Sequence, residues 1–185
     1  MENQPLLDDE YLNTVLIGGR EERQVEIVEY DASWPWVFEQ HRQRILSVMA
    51  TAARTVEHIG STAVPGLAAK PIVDIMVTVD DPNDEATYLA CLMDAGYVLR
   101  VREVDHRMFR TLKRDVQVHI WRAGSDDEER HLVFRDHLRG SADDRKAYAA
   151  LKRSLAGRWR DVNYYAEAKG PFIRQMVESA RRRDE

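Results

Sequence analysis

Two kinds of hydrophobic periodicity divide the chain. From residue 25 to residue 121, apolar side chains alternate with polar ones or form short β-branched runs, and both patterns predict strands. The predicted strands cover residues 25–30, 55–59, 72–79, 97–103, 107–113 and 116–121. Apolar residues at helical spacing predict helices over residues 35–53 and 84–95. This order of elements predicts an α+β fold with a mixed sheet and helices on one face.

From residue 123 onward the periodicity is helical. Ser125 and Glu128 have the spacing of a capping box, which predicts the start of a helix. Helices are expected over residues 125–139, 141–158 and 162–182. Pro171 is expected to break the third helix, because proline cannot donate a backbone hydrogen bond. We expect this C-terminal helical lobe to lean on the sheet and to form one wall of a cleft.

These patterns divide the chain into three parts. Residues 1–24 are expected to be an N-terminal tail, in which apolar residues such as Leu12 and Val15 can pack on the body. Residues 25–122 form the predicted α/β domain, and residues 123–185 form the helical lobe. We expect the two larger parts to be lobes of one molecule rather than independent folding units.

The strand predicted over residues 72–79 carries a single charge, at Asp74. The two-residue period of a strand puts Asp74, Met76 and Thr78 on one face. A carboxylate in such an apolar strand is costly unless it has a partner. A metal ion and an ion pair with Lys70 are the two partners that we consider. On the strand predicted over residues 116–121, the same period puts His119 on one face with Gln117 and Trp121.

Four blocks of sequence form a recognisable pattern. The first is GSTAVPGLAAKPIVDI at residues 60–75, and it combines a Gly-Ser turn with the strand that carries Asp74. The others are VHIW at 118–121, ERHLVFRDHLR at 129–139 and YAEAKGPF at 165–172. Together, in this order, they resemble the GrpB family. A Gly-Ser turn before an acidic strand resembles the active-site signature of the nucleotidyltransferase fold, of which GrpB is a branch. The resemblance therefore implies a nucleotidyltransferase-like sheet followed by a helical lobe.

The same resemblance implies a site for phosphate and metal. Gly60 and Ser61 are expected to hold a phosphate through backbone amides and the Ser61 hydroxyl. Asp74 and His119 are expected to be the catalytic pair and to bind Mg²⁺ or Mn²⁺, with zinc as the alternative metal. Each residue also has a structural alternative: an ordinary turn for Gly60 and Ser61, an ion pair for Asp74, and a hydrogen-bonded core position for His119.

Basic residues complete the predicted site. Lys70, Arg135 and Lys169 are expected to neutralise phosphate charge, and Arg135 and Lys169 lie within the GrpB-like blocks. Lys152 is a weaker candidate, since it lies outside those blocks, and we leave it out of the predicted site. The structural alternative for each is a solvent-facing side chain.

One departure from the superfamily pattern leaves two functions open. Active nucleotidyltransferases usually carry Asp-x-Asp on this strand and a third carboxylate nearby, whereas the position two residues after Asp74 is Met76. The first function is metal-dependent nucleotidyl transfer from a nucleoside triphosphate to a small acceptor. The alternative is a catalytically reduced module that binds a phosphorylated small molecule. GrpB-like domains also occur fused to dephospho-CoA kinase, which extends the alternative to coenzyme A metabolism.

Composition and charge narrow the classes of function. Apolar residues make 44% of the chain, and the net charge is −5, which argues against a nucleic-acid partner because such proteins usually have a basic face. The single cysteine, Cys91, fits a reducing compartment. The chain shows neither a signal-peptide pattern nor a long apolar run. We therefore expect a cytoplasmic protein with no membrane partner, and the sequence leaves its oligomeric state open.

Overall fold

A five-stranded mixed sheet is the centre of the computed structural model, which describes residues 8–21, 24–159 and 161–182. The strands are β1 (Thr55–Ile59), β2 (Val73–Val79), β3 (Tyr97–Glu103), β4 (His106–Thr111) and β5 (Val116–Arg122). The α-helices are α1 (Asp9–Val15), α2 (Trp34–Met49), α3 (Leu89–Asp94), α4 (Asp126–Gly140), α5 (Ala142–Ala156), α6 (Val162–Glu167) and α7 (Gly170–Arg181). Two short 3₁₀ helices cover Ser61–Ala63 and Glu85–Thr87.

The strand order across the sheet is β1-β2-β5-β4-β3. β2 and β5 are parallel neighbours, and the other pairs are antiparallel. The register places Asp74 beside Gln117 and Met76 beside His119. The α+β class and the mixed sheet predicted from the sequence are therefore confirmed.

The two faces of β2 have different neighbours, as the period of two predicts. Ile75 and Val77 are fully buried in the main core, which the residues of α2 and α3 complete. On the opposite face, Met76 packs with Trp121 and with Leu132 from α4. The sheet is thus covered by α2 and α3 on one side and by the C-terminal helices on the other.

The loop between β1 and β2 is embedded in the helical lobe. Val64 and Leu67 are almost fully buried in a cluster that includes Phe134 from α4, Tyr148 from α5 and Val177 from α7. The helical lobe and the sheet therefore share a core at this loop.

The strand predicted over residues 25–30 does not form in its described residues. Val28 makes an isolated bridge with Ala69, through two N–H···O bonds of 2.9 Å, while Val25 packs against Leu155 and Tyr165. The apolar residues that alternate in this segment pack on the helices and on the β1–β2 loop instead. Among the described residues, no strand of the sheet pairs with this segment.

The segment predicted to be a tail contains α1, which packs on the sheet. Leu12 and Val15 are buried against Val101 and Met108 from β3 and β4. Arg100 donates hydrogen bonds to the carbonyl oxygens of the turn after α1. Among the described residues, no helix is long and apolar enough to cross a membrane.

Candidate functional site

Gly60 lets the end of β1 approach the carboxylate of β2. Its φ is +69° and its ψ is −169°, a conformation that residues with side chains rarely adopt. A Cβ atom at this position would lie 2.6 Å from Asp74 Oδ2. The glycine of the Gly-Ser turn is therefore required by both its backbone conformation and its contact with Asp74.

A small cavity opens directly beside this turn. Its volume is about 40 Å³. The polar part of its wall consists of Ser61, Lys70, Asp74, Lys152, Tyr165 and Lys169, and Thr62 and Ile72 complete it. Since one water needs roughly 10–15 Å³ in this measure, the cavity has room for a group of a few heavy atoms, such as a phosphoryl group. The structure thus brings Ser61, Lys70, Asp74 and Lys169 of the predicted site together, with Gly60 at the edge.

Lys152 reaches the cavity from the buried side of α5. Only 2% of its surface is exposed, and its Nζ donates hydrogen bonds to Ser61 Oγ at 2.9 Å and to the carbonyl oxygen of Ala68. The same Nζ lies 4.7 Å from the centre of the Tyr148 ring. Burial, followed by the charges of Lys169 and Arg153, lowers the pKa of Lys152 to about 7.

The Tyr165 ring lies close to the other two lysines. Lys169 Nζ lies 4.5 Å and Lys70 Nζ lies 5.7 Å from the centre of the ring. Burial and the charge of Lys70 lower the pKa of Lys169 to about 8, against the opposing charge of Asp74. The Tyr165 side chain is 1% exposed, and its hydroxyl is a buried polar group without a hydrogen-bond partner within the described part of the chain, which is costly.

Asp74 is paired with His119, as the predicted site requires. Asp74 Oδ1 lies 3.7 Å from His119 Nε2, and the two side chains are 29% and 19% exposed. Burial alone would raise the pKa of Asp74, but its contact with His119 and the charges of Lys70 and Lys169 hold that pKa below its ordinary value. Asp74 is therefore an anion at neutral pH.

A series of hydrogen bonds extends from His119 to α1. His119 Nδ1 lies 3.1 Å from His106 Nε2, and His106 Nδ1 lies 2.6 Å from a Glu103 oxygen. The other Glu103 oxygen accepts a bond of 2.7 Å from the Tyr11 hydroxyl. The His119 ring also stacks on Trp121, with ring centres 5.0 Å apart. These contacts fix the orientation of the imidazole beside Asp74.

The metal donors available in this cavity are few. Among the described residues, no three His, Cys, Asp or Glu side chains cluster closely enough to hold a metal ion. Asp74 and His119 provide one carboxylate and one imidazole, a set that fits a single Mn²⁺ or Mg²⁺ whose other ligands come from a phosphate or water. Two adjacent metal ions would need more anionic ligands than this pair provides.

Arg135 lies outside the cavity wall. Its guanidinium donates to Glu57 Oε2 at 2.8 Å, to the carbonyl oxygen of His58 at 3.1 Å and to Asp136 at 2.8 Å. These contacts tie α4 to the edge strand β1. Arg135 therefore has its donors directed to groups of the protein itself.

Four residues of the cavity wall are absent from the predicted site, and Lys152 and Tyr165 are the two of them that the sequence could have indicated. Lys152 follows Tyr148 by one helical turn, and Lys169 follows Tyr165 by one turn, so both lysines belong to a repeated Tyr-x-x-x-Lys spacing. Tyr165 also lies in the block YAEAKGPF. This repeated spacing is the sequence signal that would have identified Lys152 and Tyr165.

Comparisons with known proteins agree with these observations. The family model described as GrpB protein matches residues 24–179. A UPF0157 protein of Streptomyces coelicolor is 50% identical over 159 residues, which cover 85% of each chain. A crystal structure of the conserved protein GrpB from Enterococcus faecalis superposes with a TM-score of 0.73 at 32% identity, covering 84% of this chain and 96% of that one.

A dephospho-CoA kinase of Mycolicibacterium paratuberculosis is also similar. It is 30% identical over 84% of this chain, but the matched region is only 46% of the kinase. The family match covers most of the chain, and both the sequence and the fold of its relatives agree with it. The chain therefore belongs to the GrpB family.

Proposed function

We propose that the cavity beside the Gly60-Ser61 turn binds a phosphoryl group of a phosphorylated small molecule, with a nucleoside triphosphate as the first candidate. The observation that carries this proposal is the grouping of three lysines with the Ser61 hydroxyl in the wall of one small cavity. A phosphoryl group there would lie close to the ammonium groups and to Ser61. The volume of about 40 Å³ suits one phosphoryl group, so the rest of the ligand would extend outside the cavity.

The charges of the cavity support an anionic ligand. The described wall of the cavity holds three lysines, Lys70, Lys152 and Lys169, and one carboxylate, Asp74. The lowered pKa of Lys169 expresses the cost of holding its ammonium group away from water and beside Lys70. A phosphate dianion would offset that cost, because its charge favours the protonated form of Lys169.

The second candidate is metal-dependent nucleotidyl transfer to a small acceptor, and the Asp74–His119 pair favours it. These two residues would hold the metal ion, which would supply neutralisation of phosphate charge when bound. Ser61, Lys70 and Lys169 would orient the phosphates. Met76, however, is fully buried in the position of a second carboxylate. Ligand binding without nucleotidyl transfer is therefore the function that this donor set supports best.

A link to coenzyme A metabolism is an extension of the same proposal. It rests on the similarity to the dephospho-CoA kinase, of which this chain matches about half. Dephospho-CoA and coenzyme A both carry phosphates that could enter the cavity. Both should therefore be tested as ligands together with the nucleoside triphosphates.

A thermal-shift panel tests the proposal. Nucleoside triphosphates, dephospho-CoA and coenzyme A are added with and without Mg²⁺ and Mn²⁺, since a ligand of the native state raises the melting temperature by mass action. Ser61→Ala is expected to weaken binding by about 1–3 kcal/mol, because a hydrogen bond to a charged oxygen is lost. Ser154→Ala, at an exposed position of α5, is the matched control. No shift with any of these ligands would contradict the proposal.

Calorimetric titration of Mn²⁺ and nucleotide separates the two candidates. Asp74→Asn keeps the shape of the side chain and removes its charge, so it is expected to abolish metal-dependent binding while the fold is retained. Asp94→Asn, at an exposed position of α3, is the control. Loss of binding in Asp74→Asn, with no turnover by the wild type, favours the binding module. Equal binding by both proteins would remove Asp74 from the site and nucleotidyl transfer with it.

A further inference from the structure

The contact between Ser61 and Lys152 has the geometry of a nucleophile and its base. Ser61 Oγ lies 2.9 Å from Lys152 Nζ, within the distance needed for proton transfer. Ser61 is partly exposed and lines the cavity, whereas Lys152 is buried behind it. Both residues line the cavity, so a ligand there can reach the hydroxyl while most of the Lys152 side chain stays buried.

The surroundings of Lys152 favour its neutral form. Among the described residues, no carboxylate forms an ion pair with its Nζ, and besides Ser61 its neighbours are the Ala68 carbonyl oxygen and the Tyr148 ring. Lys169 and Arg153 oppose its positive charge. A neutral amine has a lone pair for the Ser61 hydroxyl and an N–H for Ala68, so both contacts persist after deprotonation.

Two other charged residues line the same cavity, Lys70 from the β1–β2 loop and Asp74 from β2. Lys70 has the same charge as a protonated Lys152, and Asp74 has the opposite charge. Burial, followed by the charges of Lys169 and Arg153, lowers the pKa of Lys152 to about 7, so an appreciable fraction of the amine is unprotonated at neutral pH.

We infer that Ser61 is a nucleophile, that Lys152 is its general base, and that Ser61 accepts a phosphoryl group from a nucleoside triphosphate. The inference rests on the proposed function for the identity of the ligand, and on the contact at 2.9 Å for the chemistry. Lys70 and Lys169 in the same wall favour a phosphorus centre over an uncharged acyl group, because a transferred phosphoryl group carries negative charge on its oxygens.

The step balances without any further reactant. Ser61 Oγ attacks the terminal phosphorus, and an Oγ–P bond forms as the bond from phosphorus to the bridging oxygen breaks. The electron pair of the broken bond leaves with the nucleoside diphosphate. The Ser61 proton passes to Lys152 Nζ, and the resulting ammonium group lies next to the new phosphoserine. Attraction between these charges stabilises the product.

Two probes test the inference on the full chain. ATP labelled on its terminal phosphate reports transfer to the protein, and an alkyl fluorophosphonate reports a reactive serine independently of nucleotide binding. Tandem mass spectrometry of both products is expected to place the modification on Ser61. Ser61→Ala is expected to lower labelling about a hundredfold or more at saturating ATP, whereas Ser154→Ala is expected to label like the wild type.

The pH profile distinguishes a base from a residue that only anchors the loop. The rate of labelling by the fluorophosphonate is expected to rise between about pH 6 and pH 8, as Lys152 loses its proton. Lys152→Met is expected to lower the rate by about 10²–10⁴-fold and to abolish this rise. Because substitution of a buried lysine can disturb folding, the wild-type profile is an independent readout.

The outcomes separate this inference from the proposed function. A thermal shift with ATP but no labelling of Ser61 by either probe would overturn the inference and leave the binding function in place. Labelling by the fluorophosphonate without a shift or transfer from ATP would support the nucleophile and its base and overturn ATP as the donor. A flat wild-type pH profile, or label on another residue, would overturn the assignment of Lys152 or Ser61.

Discussion

Gly60 and Asp74 are in contact where β1 ends, and this contact gives the sharpest test at the level of single residues. Gly60→Ala is expected to lower the free energy of unfolding by about 1–3 kcal/mol, because a side chain is strained at a φ of +69°. The added Cβ would also meet Asp74 Oδ2 at 2.6 Å and displace the carboxylate. Chemical denaturation measures the first effect, and nucleotide binding measures the second.

Gly66→Ala is the matched control for this substitution. Gly66 lies in the same loop with a φ of +76°, but a Cβ there would have no neighbour within 4 Å. It is expected to destabilise the protein without changing ligand binding. If Gly60→Ala bound ligand as well as Gly66→Ala did, the expected displacement of Asp74 by a side chain at position 60 would be contradicted.

The pKa of Lys152 predicts a pH dependence of stability. It is about 7 in the folded protein and 10.5 in the unfolded chain, so between these values the unfolded chain binds one more proton. The free energy of unfolding is therefore expected to rise with pH, by up to about 1.4 kcal/mol per pH unit, above about pH 7. Below that pH both states carry the proton, and the cost of the buried charge is present in full.

Urea unfolding of wild type and Lys152→Met over a range of pH measures this contribution. The difference in unfolding free energy, wild type minus variant, is expected to grow between about pH 7 and pH 9. Lys113→Met, at an exposed position, is expected to give a difference that does not change with pH. Parallel curves for wild type and Lys152→Met would contradict the lowered pKa.

Single residues were predictable where their local pattern was unusual. Asp74 is the one charge in an apolar strand, and the period of two placed it on the cleft side with no need for tertiary information. Lys152 had only its spacing from Tyr148 as a signal, which is weak because a lysine on a helix usually faces solvent. Its burial depends on how α5 packs against the β1–β2 loop, which the sequence of α5 alone does not reveal.

Among the helices, α4 is held to β1 through Arg135. Arg135→Gln is expected to lower the free energy of unfolding by about 1–3 kcal/mol, since it removes hydrogen bonds between charged groups and leaves the His58 carbonyl oxygen without its donor. Ligand affinity is expected to change little, because Arg135 is not part of the cavity wall and its guanidinium bonds to groups of the protein. Denaturant unfolding and calorimetric titration measure the two quantities.

Arg139→Gln is a useful companion variant on the same helix. Arg139 donates to the carbonyl oxygen of Ala63, so it also ties α4 to the β1–β2 loop. Both variants are expected to lose stability with unchanged ligand affinity. A large loss of affinity in Arg135→Gln alone would restore the phosphate role that the sequence suggested.

Periodicity predicted the strands correctly where their neighbours in the sheet are close in sequence. The bounds of β3 agree with prediction, and those of β5 differ from it by one residue. The segment over residues 25–30 had equally good alternation, yet a strand requires a partner, and its described residues meet only an isolated bridge to Ala69. Alternation predicts which face is buried, but not whether a sheet edge lies alongside.

The cavity depends on the packing of the two lobes, because each lobe contributes residues to its wall. Ser61, Lys70 and Asp74 belong to the sheet and its loop, whereas Lys152 and Lys169 belong to the helices. The nucleotide with the largest thermal shift is therefore expected to slow hydrogen exchange in the β1–β2 loop and in α5 together. Exchange in α3, on the opposite face of the sheet, is expected to stay unchanged.

Exchange mass spectrometry with and without this nucleotide measures the effect. Protection confined to one lobe would contradict a site shared between them. The shared wall also explains why the cavity was harder to predict than the fold. The Gly-Ser turn and Asp74 are close in sequence, but Lys152 is 91 residues from Ser61, and only the packing of the lobes brings them together.

The anchoring of the β1–β2 loop has a consequence for the kinetics of association. Val64 and Leu67 are held in the core of the helical lobe, so the loop cannot swing open without breaking that core. A ligand therefore meets a site that is already assembled, and its association requires no conformational step. Ligands that differ in how well they fill the cavity should associate at similar rates. Differences in affinity between these ligands would then come from how long each one stays bound to the protein, that is, from their dissociation rates.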